Sequence, residues 1–139
     1  MKSNWLLLLV LLVSINSCKK EERGEEQIKS QVIGRWELSI YSCGECPISY
    51  TAYPQGNGNI IEFTKNGRFL QKLKDSVTFN GRYEIVSSKE CDKAGNVALK
   101  TNDSGNGSLR FITLENETLR LSTPSCYMDG AISIYKRIK

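Results

Sequence analysis

The chain has 139 residues, 40% of them hydrophobic and 24% charged, with 19 basic and 15 acidic side chains, 11 Gly, 3 Pro, 5 Cys and no His. That profile suits one small globular domain. Without His the chain lacks His-dependent triads, His-ligated zinc or haem and an imidazole pH switch, while five Cys in so short a chain raise the question of redox compartment.

Lys2 precedes an unbroken apolar run from Trp5 to Val13, and small or polar residues follow as Ser14-Ile15-Asn16-Ser17-Cys18. A spanning helix needs about 20 apolar residues, so this shorter run reads as the core of a signal peptide over residues 1–17. Ile15-Asn16-Ser17-Cys18 resembles a bacterial lipobox, with a branched aliphatic residue three positions before the Cys, although Ile and Asn depart from the commoner Leu-Ala or Leu-Ser. The resemblance implies cleavage after Ser17, a diacylglycerol thioether on Cys18 and acylation, for instance by palmitate, of the new amine. Buried acyl chains at about 0.8 kcal/mol per CH₂ would then anchor the protein to a membrane.

Residues 18–32 are expected to be the lipidated Cys and a polar tether. Over 19–31 the sequence KKEERGEEQIKSQ buries too little apolar area to offset ordering, leaving at most a short turn at Glu25 to Val32. The charged run after Cys18 also resembles the export tract of surface-displayed lipoproteins in some Gram-negative bacteria. The expected location is therefore the bacterial outer membrane, facing the periplasm or the cell surface. Losing Lys2 with the leader lowers the net charge from +4 to +3, and the remaining basic residues are scattered, which gives nucleic-acid binding little support.

From residue 33 to 139 the pattern has period two, with turn signals every eight to twelve residues, as in an all-β sandwich or barrel. The first strand, about Gly34 to Tyr41, alternates Trp36, Leu38 and Ile40 with polar residues. Strands at about Asn59 to Lys65 and Arg68 to Lys74 flank Asn66-Gly67, a preferred two-residue hairpin turn. Further strands are expected at about Arg82 to Ser87, Asn96 to Thr101, Leu109 to Leu114, Thr118 to Ser122 and Ala131 to Ile138. In the last of them Ile132 and Ile134 alternate against Ser133 and Tyr135. Eight strands predict a small antiparallel up-and-down barrel, a size whose interior is just filled by side chains or holds one small ligand.

Gly34-Arg35-Trp36 resembles the Gly-x-Trp opening of lipocalins. The chain as a whole is similar to small lipocalin-like lipoproteins of Gram-negative bacteria over about residues 33 to 138. The matching motifs are Glu62-Phe63 with Gly67-Arg68-Phe69, Gly81-Arg82-Tyr83, Thr118-Leu119-Arg120-Leu121-Ser122 and Lys136-Arg137. The resemblance implies that Gly34 opens the first strand and that Trp36 packs at the closed barrel end against Arg137. Stacking a guanidinium on an indole is worth about 0.5 to 2 kcal/mol.

Cys43, Cys46, Cys91 and Cys126 remain beside Cys18, and an even number in an exported chain reads as two disulfides. Cys43-Gly44-Glu45-Cys46 could instead belong to a four-thiolate zinc site or act as a redox dithiol. A zinc site usually has a second Cys-x-x-Cys, and a reactive pair usually sits at a helix N-terminus. In a meander, the connections holding Cys43, Cys46 and Cys126 fall at one end and that holding Cys91 at the other. This parity favours Cys126 with Cys43 or Cys46, unless the strand count is off by one or the Cys91 connection folds over.

The segment Ser42 to Gly58 is long for a connection and carries Tyr50 and Tyr53, so it is expected to cover or line the open end. A preformed cavity would be lined by Leu38, Phe63, Phe69, Phe111 and Ile134, taking a small apolar ligand or a protein partner. Inner-face positions are expected to be apolar apart from Gln71 or Thr113, which leaves no paired carboxylates for acid–base work. The sequence therefore points to a monomeric, non-enzymatic, lipid-anchored barrel without metal or cofactor. A thiol–disulfide protein acting through Cys43 and Cys46 is the alternative.

Overall fold

Alternating apolar and polar residues put one face of each strand inward, and closing such a sheet on itself removes its exposed edges. The computed structural model describes residues 18–44, 50–89, 91, 96–102, 107–124, 126 and 130–139. Helix α1 (Cys18–Gln31) is followed by β1 (Gly34–Cys43), β2 (Tyr50–Ala52), β3 (Asn59–Phe63), β4 (Arg68–Leu73) and β5 (Ser76–Ser88). Then come β6 (Asn96–Asn102), β7 (Ser108–Glu115), β8 (Thr118–Ser122) and β9 (Ala131–Ile138). Strands β1 and β3 to β9 pair antiparallel in chain order, and β1 with β9 closes an eight-stranded up-and-down barrel. Short β2 adds to β1 beyond the point where β3 leaves it.

Two turns differ from expectation. Asn66-Gly67 belongs to a three-residue loop, 65–67, closed by the Thr64 amide on the Arg68 carbonyl at 3.0 Å, with Gly67 at φ 77°. A left-handed third residue is what such a loop needs, and Gly adopts it without strain. Strand β5 starts at Ser76 rather than Arg82, because Lys74 adopts φ 56° and reverses the chain directly after β4.

The closed end is built around Trp36, which has no solvent exposure. Arg137, its partner in the β1–β9 register, stacks its guanidinium 4.1 Å from the indole centroid. The same guanidinium donates to the carbonyls of Ile33 at 3.0 Å and Gln31 at 2.5 Å, and the indole N–H donates to the Val32 carbonyl at 2.8 Å. One cation and one indole thus satisfy three carbonyls at the end of α1, groups that a helix cannot pair by itself. Gly34 is required here for two reasons: it has φ 134°, and an added Cβ would lie 2.8 Å from Arg137 Nη1.

The expected tether is instead helical over Cys18–Gln31, and from Glu25 onward it is docked on the barrel. Lys29 bridges Glu25 at 2.7 Å and Glu26 at 3.1 Å along the helix surface. Ile28 and Val32, four residues apart, pack against the barrel core, and Ser87 of β5 donates to Glu25 at 3.0 Å. The segment is as polar as its composition says, but two apolar side chains and the Arg137 contacts suffice to hold it.

The lower barrel is filled by aromatic rings. Phe63 lies 5.1 Å from Phe69 and 5.0 Å from Tyr83, and Phe69 lies 5.7 Å from Phe79. Ile61, Ile85, Leu99, Ile112, Leu119, Leu121 and Tyr135 complete the core.

Two parities expected from the sequence are reversed. A bulge at Ser39 lets Leu38 face Tyr135 inside while Ile40 pairs with Ile134 outside, the latter also opposite exposed Arg120. Phe111 is likewise outside, since its neighbours Ile112 and Leu121 are the buried pair. Thr113 is exposed opposite Arg120. Both faces of β7 and β9 carry large apolar residues, so alternation alone cannot say which face is inner.

Cys91 is bonded to Cys126, correcting the expected pairing of Cys126 with Cys43 or Cys46. Cys91 lies at the outer wall, where it shares a groove with Val86, Lys100 and Leu109. Ala98, an outer-wall residue by its register with Val86 and Phe111, has no exposure. Strand stagger helps, because Ser122 at the far end of β8 lies in the same cross-strand row as Phe111, Ala98 and Val86. In the chain-entropy account, a bond across a sequence separation of 35 contributes about 4 kcal/mol. Cys43 is disulfide-bonded too, and Cys46 lies outside the described residues.

Trp36→Ala should cost about 3–5 kcal/mol, the range for truncating a buried large aromatic, and should loosen α1 from the barrel. Denaturant titration together with amide exchange across Glu25 to Val32 reads both effects. Unchanged protection there would contradict the role given to the indole.

Candidate binding cleft at the barrel mouth

With α1 across one end, the opposite end is where the interior can meet solvent. There the aromatic filling stops, and a cleft of about 260 Å³ opens between β1, β3, β4, β5 and β9. Leu38, Ile61 and Tyr135 form its apolar floor, with Gln71 on the inner wall and Asn59, Leu73 and Thr78 at the rim. A bulge at Thr78 shapes this rim. Gln71 pairs with Phe79 and Lys72 with Val77, leaving Thr78 to donate its hydroxyl to the Gln71 carbonyl at 3.3 Å. Leu73 and Val77 beside it are about half exposed, at 49% and 55%.

The inner wall is more polar than expected near this mouth. Register places half-buried Arg110 opposite Leu99, and Ser133, on the same face of β9 as Tyr135, is buried. Thr101 and Ser108 share a 2.7 Å hydroxyl contact. Burial pushes the Tyr135 phenol above its ordinary value, against the opposing pull of the Arg110 charge and the Ser133 hydroxyl. Burial also raises Tyr83, whose hydroxyl donates to the Thr64 carbonyl at 3.0 Å.

Of the residues expected to line a cavity, only Leu38 reaches the cleft. Phe63 and Phe69 are in the packed aromatic cluster, at 1% and 4% exposure, and Phe111 and Ile134 face outward. Tyr50 is 58% exposed on β2. Tyr53 lies against the outer wall of β1, in a second pocket of about 190 Å³ beside Lys136 and Ile138.

The loop over 53–58 is thus not a lid on the mouth. The buried Glu37 carboxylate pins it to the outer wall by accepting the Gly56 amide at 2.8 Å and the Gly58 amide at 3.1 Å. Asn57 donates to the Leu38 carbonyl at 2.8 Å, and the Tyr53 amide donates to Ser39 in the bulge. Glu37 was missed because its strand position reads as a solvent face. The Gly-rich run at Gly56 and Gly58 was the available hint, since closely spaced unpaired amides call for an acceptor.

Cys43, Cys91 and Cys126 are held in disulfides, which removes the thiolates that a four-cysteine zinc site needs. Among the described residues no three metal-ligating side chains converge, and no helix is long and apolar enough to cross a membrane. The chain matches no protein-family model, and no curated protein or solved structure is significantly similar to it. The barrel is consistent with a lipocalin-like one through its closed eight-stranded topology and its Trp36–Arg137 contact.

A phenol titrating above about 10 favours the folded chain while it stays protonated. The Tyr135 and Tyr83 contributions are therefore complete below about pH 10 and are lost as pH rises through the folded-state values. Stability should fall on that alkaline limb, and Tyr135→Phe should flatten part of it in denaturation curves taken across pH. An unaltered slope would place the burial effect elsewhere.

Proposed function

We propose that this chain is a lipid-anchored envelope protein whose barrel is a non-enzymatic module binding a small apolar group at its mouth. The mouth cleft is the observation that supports this reading most directly. At about 260 Å³ it lies just below the roughly 300–1,000 Å³ of sites for drug-sized ligands, so it suits a single ring or a short aliphatic group. Its floor of Leu38, Ile61 and Tyr135 favours apolar contact, and Gln71, Asn59 and Thr78 offer the few polar groups that fix orientation. An exposed side chain of a partner protein has the same chemistry as a free ligand of this size.

The anchor rests on the lipobox resemblance at Ile15 to Cys18, from which α1 leads to the closed end of the barrel. The mouth then points away from the attachment point, where a ligand or partner can approach. An outer-membrane location, facing the periplasm or the surface, and a monomeric state are part of the same reading. The thiol–disulfide alternative draws less support. Cys43 is 6% exposed, disulfide-bonded and at the end of a strand, not at the helix terminus that lowers a reactive thiol's pKa.

Cys18→Ala in the full chain, expressed in a Gram-negative host, should move the protein from the membrane to the soluble fraction. Intact mass should show the parent heavier than the cleaved polypeptide by its acyl groups, whereas equal fractionation and no added mass would end the anchor reading. Gln71→Trp should fill the cleft and weaken binding of an indole probe by at least about tenfold, equivalent to about 1.4 kcal/mol. Titration by ligand-observed NMR checks this, and a parent chain that ignores both indole and single-ring probes such as phenol would remove the ligand half of the proposal.

A further inference from the structure

A polar groove of about 550 Å³ runs along the outer wall near the closed end, lined by Asn66, Arg68, Asn80, Gly81, Arg82 and Asn102. Arg68 and Arg82 are direct cross-strand partners on β4 and β5. Both point outward, since the next pair in the register, Phe69 and Gly81, faces the core. Like charges placed directly opposite each other destabilise a sheet, so this pair calls for a counter-charge.

The described residues do not supply one. The neighbouring carboxylate on this wall, Glu62, is taken by Lys72 at 2.8 Å, and Glu84 stands opposite Lys100 in the next strand. Neither arginine makes an ion pair among the described residues.

The amides of the groove are oriented by their partners. Arg68 Nη2 donates to Asn80 Oδ1 at 2.9 Å, and because a guanidinium can only donate, the Asn80 oxygen is fixed toward it. The Asn80 NH₂ is then left for another acceptor. Asn66 Oδ1 similarly accepts the Thr64 hydroxyl at 2.5 Å. Arg82 keeps its N–H groups unused among the described residues. What the groove offers is therefore mostly donors and positive charge, and among the described residues no acidic side chain and no large apolar one lines it.

We infer that this groove is an anion site for a phosphoryl group, bridged by Arg68 and Arg82 and oriented by the amides of Asn80 and Asn66. A carboxylate presents its acceptor sites in one plane, whereas the tetrahedral oxygens of a phosphate can meet two guanidiniums and two amide donors that approach from different directions. The site is separate from the mouth cleft and does not depend on what binds there. Since the hairpin carrying Asn66 lies at the same end as α1, the phosphoryl group can belong to a lipid headgroup or to a soluble phosphate. Both have the same recognition chemistry.

The test uses the full chain in non-ionic detergent, followed by amide chemical shifts around Asn66, Asn80 and Arg82. It is titrated separately with inorganic phosphate and with dihexanoyl phosphatidylglycerol. Saturable shifts confined to this groove are expected, with Arg82→Gln weakening the binding by roughly tenfold, the loss of one charge-assisted hydrogen bond. Lys136→Gln, which removes the same charge from the wall of β9, should leave it unchanged. Binding of phosphate alone identifies a soluble ligand, and binding of the glycerophospholipid identifies a headgroup. No saturable shift with either compound, or equal weakening by the two substitutions, overturns the site.

Discussion

The stacked pair of Trp36 and Arg137 joins three parts of the molecule that the chain keeps far apart. Arg137 lies on the last strand, Trp36 on the first, and the carbonyls they satisfy are at the end of the preceding helix. Barrel closure through β1 and β9 therefore coincides with capping of the helix. The guanidinium is suited to this because it is planar on the indole side and a multiple donor at its edge. Gly34 is small for the same reason, leaving Arg137 room beside the backbone. Closing one end this tightly confines solvent access to the other.

Packing then decides how large a binding site can be. Phe63, Phe69, Phe79 and Tyr83 fill the lower interior as a chain of tilted and edge-on rings, the arrangement aromatic quadrupoles favour. What remains is a shallow cleft on Leu38, Ile61 and Tyr135. Among the described residues, 53–58 is diverted from the mouth, drawn onto the outer wall by Glu37, and Cys91 is tied to Cys126. The mouth is consequently bordered by tight turns and bulges near Leu73 and Thr78.

Much of this was legible along the chain. The strand order, the closed eight-stranded antiparallel class, the opening Gly34-Arg35-Trp36 and its pairing with Arg137 agree with what the residues and their family resemblance imply. The cavity lining was not legible, and the reason is specific. A single bulge at Ser39 shifts the phase of β1, and on β7 and β9 both faces carry large apolar side chains, so Phe111 and Ile134 compete on equal terms with Ile112 and Tyr135. Helix α1 was obscured for the opposite reason, because its own residues offer few apolar contacts and part of its support comes from Ser87 and Arg137, about sixty and a hundred positions away.

The sequence by itself determined the pattern that is local: the period-two strands and the turn residues that separate them. Local pattern suffices for these because each depends on neighbours one to four residues apart. The tertiary structure alone decided the partner of Cys91, the inner face of β7 and β9, the path of 53–58 and the existence of a cleft in place of a deep cavity. These depend on strand stagger, bulges and long-range capping, which set where a side chain ends up only after the barrel has closed.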